Sequence, residues 1–482
     1  MTVSPPKHVH LLGICGTAMA ALAGALKAQG SVVTGTDENV YPPISDQLDR
    51  LGIAYNRGYR AENIPPGVEL VVVGNVIRRD NPEVQAVMSQ GLPYLSMAEA
   101  VYRFAIAGRN TLAVVGTHGK TTTTTLAAHA LVELGADPGF LTGGIPKNFP
   151  DNFRVGGGDW FVIEGDEYDT AFFDKTPKFF KYHPKVVLFT SLEFDHADIY
   201  DSLDTIRGHF AKLLTGLPAD GLIVACHDDP GARELVAELS AQGALPCPVV
   251  TYGLEEGAGC RLTHTQTGPD GVRFTTRWEG REDSWFFPLG GDYNALNAAA
   301  VMIALIRLGH APAQVAAALA SFQGVKRRQE LRGVAGGVRV LDDFAHHPTA
   351  VRLTLKGVRQ RYPEGTLWAV FEPRSFTARS SRFQTEWGQA FWGAGQVLLA
   401  PPFRPANASA NQLLDTRRVA EDTQAGGTPA RALGSTDEIL AVLEQETTPG
   451  DTVLVMSNGG FDNIHQRLLD RLAQRNTQGG TR

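Results

Sequence analysis

The run Val115-Gly116-Thr117-His118-Gly119-Lys120-Thr121-Thr122 carries the densest chemical signal in the chain. Glycines at 116 and 119 let the backbone turn tightly enough for its N–H groups to converge on phosphate oxygens. A helix opening at Lys120 would add the positive end of its dipole. From there Lys120 can reach the β- and γ-phosphates of a nucleotide, and the Thr121 hydroxyl can ligate Mg²⁺. The loop is a shortened form, with Val114 standing where the long form has its first glycine. A simple glycine turn explains neither the lysine at this spacing nor the run Thr121 to Thr125, since β-branched residues are poor helix formers.

Two further segments place polar side chains where such a site would need them. Ile163-Glu164-Gly-Asp166-Glu-Tyr-Asp169 leaves a strand-like run. Glu164 there can face the triphosphate and offer the hard oxygen that Mg²⁺ prefers. Asp166 and Asp169 read more simply as a solvated acidic loop. Ser191-Leu-Glu-Phe-Asp195-His196-Ala-Asp198 follows another such run. The neutral His196 imidazole can ligate a second divalent ion while a neighbouring carboxylate fixes its tautomer, although a lone histidine is more often structural.

Both flanks also look nucleotide-like. Gly13-Ile-Cys-Gly16-Thr-Ala-Met19 follows Val9-His-Leu-Leu, and Asp37 ends the next strand-like run. This is part of the dinucleotide fingerprint, with Met19 in place of its third glycine, and it leaves NAD and another nucleotide equally open. Asn294 and Asn297, opening an apolar helix, can pair with an adenine edge or simply cap that helix. Lys326-Arg327-Arg328 is either a phosphate clamp or a solvated linker. Leu341-Asp342-Asp343-Phe-Ala-His346-His347-Pro follows a strand-like run just beyond it. Arg374, Arg379, Arg382 and Arg404 offer guanidinium groups for a carboxylate substrate, or lie on the surface.

The elements that must hold these residues alternate. Strand-like runs such as Thr111–Val115, Val186–Phe189, Thr366–Phe371 and Thr452–Met456 are separated by helical stretches, which predicts an α/β protein with mainly parallel sheets. The alternating stretch Val272–Trp278 reads instead as part of an antiparallel hairpin. With 482 residues the chain suffices for about three domains, divided here as 1–108, 109–325 and 326–482. Charges of 44 basic and 51 acidic residues give a net −7, without the basic excess of a dedicated nucleic-acid binder. Four scattered cysteines suit a reducing cytoplasm rather than a disulfide framework. Leu11–Leu26 is too glycine-broken for a secretory leader. No run approaches the ~18 apolar residues of a membrane span.

Taken in order, these motifs resemble the Mur ligase family of ATP-dependent amide-bond-forming enzymes. Its pattern is Gly-Thr-x-Gly-Lys-Thr, a Glu after the next strand, and Asp-His-x-Asp. Gly-x-x-Asn-x-x-Asn, an Arg before the third domain and an Asp-Asp strand end complete it. The resemblance spans essentially the whole chain. It implies a Rossmann-like N-terminal domain holding a UDP-sugar through Gly13, Gly16, Met19 and Asp37. A central P-loop ATPase-like domain and a Rossmann-like C-terminal domain bringing the amine would follow. It further implies that Gly116, Thr117, His118, Gly119, Lys120, Thr121, Thr122, Asn294, Asn297, Arg328 and Asp343 bind ATP. Thr121, Glu164 and His196 would hold Mg²⁺, and Lys120, His196 and Arg328 would be catalytic. Arg374, Arg379, His346 and His347 are candidates for meeting the amine substrate, with the arginines as readily read as solvated surface. Asp166-Glu-Tyr168-Asp and Met456-Ser-Asn-Gly-Gly-Phe461 resemble members that join UDP-N-acetylmuramate to the tripeptide L-Ala-γ-D-Glu-meso-diaminopimelate. Members that add L-alanine usually carry Ser where Tyr168 stands, and they are the nearest alternative. A P-loop regulatory ATPase or an NAD-binding oxidoreductase is the alternative of a different class.

Overall fold

Three parallel-rich sheets appear in chain order in the computed structural model, which describes residues 4–40, 44–197, 199–403 and 413–479. Asp198 and Arg404 lie outside the described residues. The first sheet is fully parallel, with spatial order Ala54–Arg57, Val32–Asp37, His8–Leu12, Leu70–Val73, Tyr94–Ser96. Its central strands are apolar and buried, as strands covered on both faces must be.

The central sheet has ten strands. Its parallel middle sets Asn110–Val115 between Val186–Phe189 and Trp160–Gly165, so all three strands end at one edge. The stretch read as a hairpin is the antiparallel strand Gly271–Trp278, paired with Cys260–Gly268 and Arg281–Phe287. The third sheet places Val338–Asp343 beside Thr452–Met456, with Glu330–Ala335 antiparallel at its edge. Among the described residues no helix is long and apolar enough to cross a membrane.

The three sheets are not joined alike. One continuous apolar core includes Leu22 and Phe104 of the first domain with Ala113, Phe179 and Phe210 of the central one. The helix Thr17–Ala28 packs so closely on the strand Phe153–Arg154 that a Cβ at Gly24 would lie 2.2 Å from the Phe153 ring. Asn152 donates to the Thr17 carbonyl (3.2 Å) and accepts from Gln47 (2.9 Å) at the same seam. The third sheet has apolar cores of its own on its two faces, with Phe194 reaching into one from the central domain.

Candidate active site in the cleft between the central and third domains

The helix Lys120–Glu133 starts where the strand Asn110–Val115 ends, and Gly116 and Gly119 make the turn at φ +123° and +79°. A Cβ on Gly116 would press into Thr190 and Ser191, and one on Gly119 would lie 2.7 Å from Asn297 Oδ1, so both positions demand glycine on conformation and on space. Gly119 is the N-cap and no side chain caps this helix, which leaves its first N–H groups unclaimed by the protein's own side chains. The helices Thr17–Ala28 and Asp292–Arg307 also begin at an uncapped glycine. By contrast Asn81, Ser202, Asp229 and Ser435 cap their own helices. Thr121 to Thr125 are all buried, and packing overrides their weak propensity.

Around the loop lies a cavity of about 380 Å³ lined from both domains. Thr117 to Thr122, Glu164, His196, Asn294 and Asn297 line it from the central domain; Arg328, Asp343, His346 and His347 line it from the third. Thr121 Oγ1 donates to Glu164 (3.2 Å) and accepts from the Arg328 guanidinium (3.1 Å), so a single hydroxyl joins the two domains. Arg328 also lies over the Phe344 ring at 5.0 Å, which fixes its plane. Its neighbour Arg327 turns away to the Ser457 and Gly459 carbonyls. The Asp343 carboxylate accepts the Gln329 and Ala345 amides at 2.8 Å each and so shapes the linker from the third-domain side. Asn294 binds the Gly290 carbonyl, and Asn297 donates to Asn294. Neither caps the helix; both stand at the loop's back wall.

The electrostatics centre on a residue the sequence did not single out. Lys120 Nζ lies 2.7 and 3.0 Å from the Glu167 carboxylate and 2.6 Å from the Gly116 carbonyl. Burial opposes its charge, but Glu167, Asp166 and Glu164 outweigh burial and keep the ammonium protonated. His196 Nε2 shares Glu167, at 3.1 Å, and the Tyr168 ring packs 4.0 Å away. Burial would lower the His196 pKa, yet Glu167, Asp195 and Asp166 raise it to about 9. Asp166 is half-buried and paired: desolvation works against its charge, but Lys178 at 3.0 Å, with Lys120 and His196, holds it well below the usual range. Asp169 does pair outward, with Lys175 on an exposed hairpin. Burial raises the Glu164 carboxyl against the pull of Lys120, a position where a cation would stabilise the ionised form. Asp166, Glu167 and His196 bring three ligand atoms within 4.8 Å, and His118, Glu193 and His347 do the same nearby. Thr121 and Glu164 add hard oxygens beside the first group, so a divalent ion fits this chemistry.

The other expected residues lie apart from this cavity. Gly13 turns at φ +83°, and Asp37 accepts the amides of Cys15 and Asn39 at 2.9 Å each, bracing the Gly13–Gly16 turn. Met19 is buried beneath Gly16 and Gly74. Arg374 pairs with Glu372 (3.5 Å) and lies on Phe403, and Arg379 lies against Phe376; neither lines the cavity, although the intervening Ser375, Phe376 and Thr377 do.

A phosphate loop whose helix faces a second domain across a carboxylate-lined cleft, flanked by two further nucleotide-type sheets, defines a three-domain ligase architecture, and the chain belongs to the Mur ligase family. Residues 8–109 match the model for the family's catalytic domain, 114–305 the Mur ligase middle domain, and 327–459 the Mur ligase glutamate ligase domain. Members are ATP-dependent ligases that form amide bonds, and the chain is such an enzyme. It is 39% identical to the UDP-N-acetylmuramate–L-alanyl-γ-D-glutamyl-meso-2,6-diaminoheptandioate ligase of Escherichia coli, over 97% of this chain and 99% of that one. A murein peptide ligase from Psychrobacter arcticus superposes with a TM-score of 0.73 at 32% identity, covering 97% of this chain and 99% of its own. The UDP-N-acetylmuramate–alanine ligase of Thermotoga maritima shares the fold at a TM-score of 0.78 and 23% identity, over 98% and 100% of the two chains.

Proposed function

We propose that this enzyme joins UDP-N-acetylmuramate to the tripeptide L-Ala-γ-D-Glu-meso-diaminopimelate with hydrolysis of ATP to ADP and phosphate. The observation that carries the reading is the meeting of Lys120, Thr121, Glu164 and Arg328 at one loop, in a chain 39% identical along its length to a ligase named for that tripeptide. Tyr168 packed on His196 is the cleft residue that sets it apart from the alanine-adding pattern.

In this reading residues 1–108 hold the sugar nucleotide around Gly13, Gly16, Met19 and Asp37. Residues 109–325 hold ATP, and 326–482 bring the amine, with His346, His347, Arg374 and Arg379 on that side. Asn294 and Asn297 take the adenine edge, and Gly116 to Thr122 cradle the phosphates. Arg328 and Asp343 complete the nucleotide site from the third domain.

A carboxylate does not acylate an amine because its leaving group would be oxide. Transfer of the γ-phosphoryl group to the lactyl carboxylate gives an acyl phosphate; the tripeptide's α-amine then attacks the carbonyl carbon and expels phosphate. Lys120 and Arg328 carry fixed positive charge to the phosphoryl oxygens as charge shifts during transfer. An incoming phosphate oxygen competes with Glu167 for the Lys120 ammonium, so Glu167 holds that charge ready before ATP arrives. Thr121, Glu164 and His196, the last only after giving up the proton that Glu167 favours on it, would hold Mg²⁺, which neutralises phosphate charge when bound. The third domain, seated on the loop through Arg328, keeps water from the acyl phosphate. Four unpaired cysteines fit the cytoplasm as the site of the reaction.

The test offers UDP-N-acetylmuramate and ATP with either the tripeptide or L-alanine, and follows phosphate release and product mass. Product with the tripeptide is expected; product with L-alanine alone would reassign the amine, and ADP formation independent of both partners would remove the ligase reading. Lys120→Ala should lower turnover by two to three orders of magnitude, about the loss of one key charge-stabilising donor. UDP-N-acetylmuramate binding, measured by calorimetry, should stay intact.

A further inference from the structure

Glu193 lies outside the cavity lining and has no part in the chemistry above, yet it touches both halves of the cleft. Its backbone is fixed to the phosphate loop: the Glu193 amide donates to Thr117 Oγ1 (2.8 Å), whose hydroxyl donates back to the Glu193 carbonyl (3.2 Å). The side chain spans the domains. One carboxylate oxygen pairs with His118 Nε2 at 2.8 Å, and the other accepts the Thr349 hydroxyl at 3.1 Å. Thr349 sits in the first turn of the third-domain helix Pro348–Arg361, where a carboxylate also meets the positive helix end. His347, the N-cap of that helix, accepts the Thr349 amide at Nδ1 and so carries its proton on Nε2, which donates to the Phe194 carbonyl (3.3 Å). Its ring lies 4.7 Å from that of His118. His118, His347 and Thr349 overcome burial and hold the Glu193 carboxyl at about 2, so it is fully charged at neutral pH.

We propose that Glu193 is a positioning residue that ties the phosphate loop to the third domain, so that nucleotide in the loop and seating of the third domain favour one another. The proposal rests on the reading of the loop as the ATP site. When the third domain lifts, one carboxylate oxygen loses its partner and the ring of His118 loses His347, which frees the loop residue next to the phosphates. Thermodynamic linkage makes the effect reciprocal: whatever factor seating adds to nucleotide affinity, nucleotide adds to seating.

The test uses the full chain, a dye pair across the central and third domains, and adenylyl imidodiphosphate with Mg²⁺ as the probe. Glu193→Ala leaves the backbone bonds to Thr117 in place, and Thr349→Val removes only the hydroxyl. Each should weaken analogue binding about tenfold, within the usual range for coupled sites, and blunt the analogue-induced approach of the dyes. The double variant should be no worse than the poorer single one. Wild-type binding and approach in both variants, or effects that simply add, would overturn the proposal. If Glu193→Ala does not fold, Thr349→Val decides alone. Should the wild-type chain itself fail to bind the analogue, the ATP reading of the loop falls with it; wild-type-like variants sink only the role of Glu193.

Discussion

Glu167 and His347 show how charge is managed in the cleft proposed to accept a polyanion. Glu167 shares its carboxylate between Lys120 and His196, so two cations stay close together without repelling one another out of place. His347 is the opposite case. Burial and the neighbouring His118 push its pKa down to about 4, against Asp195 and Glu193, while an unfolded chain would titrate near 6.5. Between those values the unfolded state binds the extra proton, so stability must fall as pH drops from about 6.5 to about 4, by about 3 kcal/mol at full effect. His347→Asn keeps an N-cap acceptor and should flatten that part of the curve. Denaturant unfolding at pH 6.5, 5 and 4 checks this, and parallel losses in both proteins would exclude it. Lys120, Thr121, Glu164 and His196 were legible in the sequence because each follows a strand end of one sheet. Glu167 and Glu193 were not, since their meaning comes from partners 47 and 156 residues away.

Whereas the third-domain helices at the cleft are capped by His347 and Ser375, three helices, including the one that opens at the phosphate loop, begin at an uncapped glycine. The same residue type also sets how closely elements approach. Gly24 lets the helix Thr17–Ala28 lie on Phe153, and Gly24→Ala would drive a methyl group into that ring. The expected loss is about 1–3 kcal/mol, the usual result of overpacking, read as a lowered Tm with adenylyl imidodiphosphate affinity unchanged. An unaltered Tm would mean that this seam yields. The sequence showed most strands through their apolar runs, and the Gly271–Trp278 strand through its alternation. It did not show the hairpin of Asp169–Ala171 and Asp174–Pro177, whose charged residues read as a loop. Nor did it show the short edge strand Phe153–Arg154, two residues paired antiparallel with Gly139–Leu141.

For the whole molecule, the contrast lies between a fused pair and a third member joined mainly by polar contacts. The first two domains share one apolar core, whereas the third meets the central domain largely through polar pairs such as Arg328–Thr121, Thr349–Glu193, Thr377–Asp195 and Lys356–Asp292, with Phe194 as an apolar contact. Calorimetry should therefore resolve two unfolding transitions, one for the fused pair and one for the third domain. Adenylyl imidodiphosphate should draw the two together if, as proposed, it binds across the junction. A single transition with and without the analogue would contradict this division. The shared core has one more consequence. It works as a rigid caliper: if the Gly13 turn holds the sugar nucleotide and the Gly116–Gly119 turn the phosphates, as proposed, packed side chains set the distance between them, and the acid must have one length to reach. In the proposed reading the amine comes from the third domain, which lies outside that core and is under no such gauge, so a change of amine would leave the distance from acid to phosphoryl donor untouched.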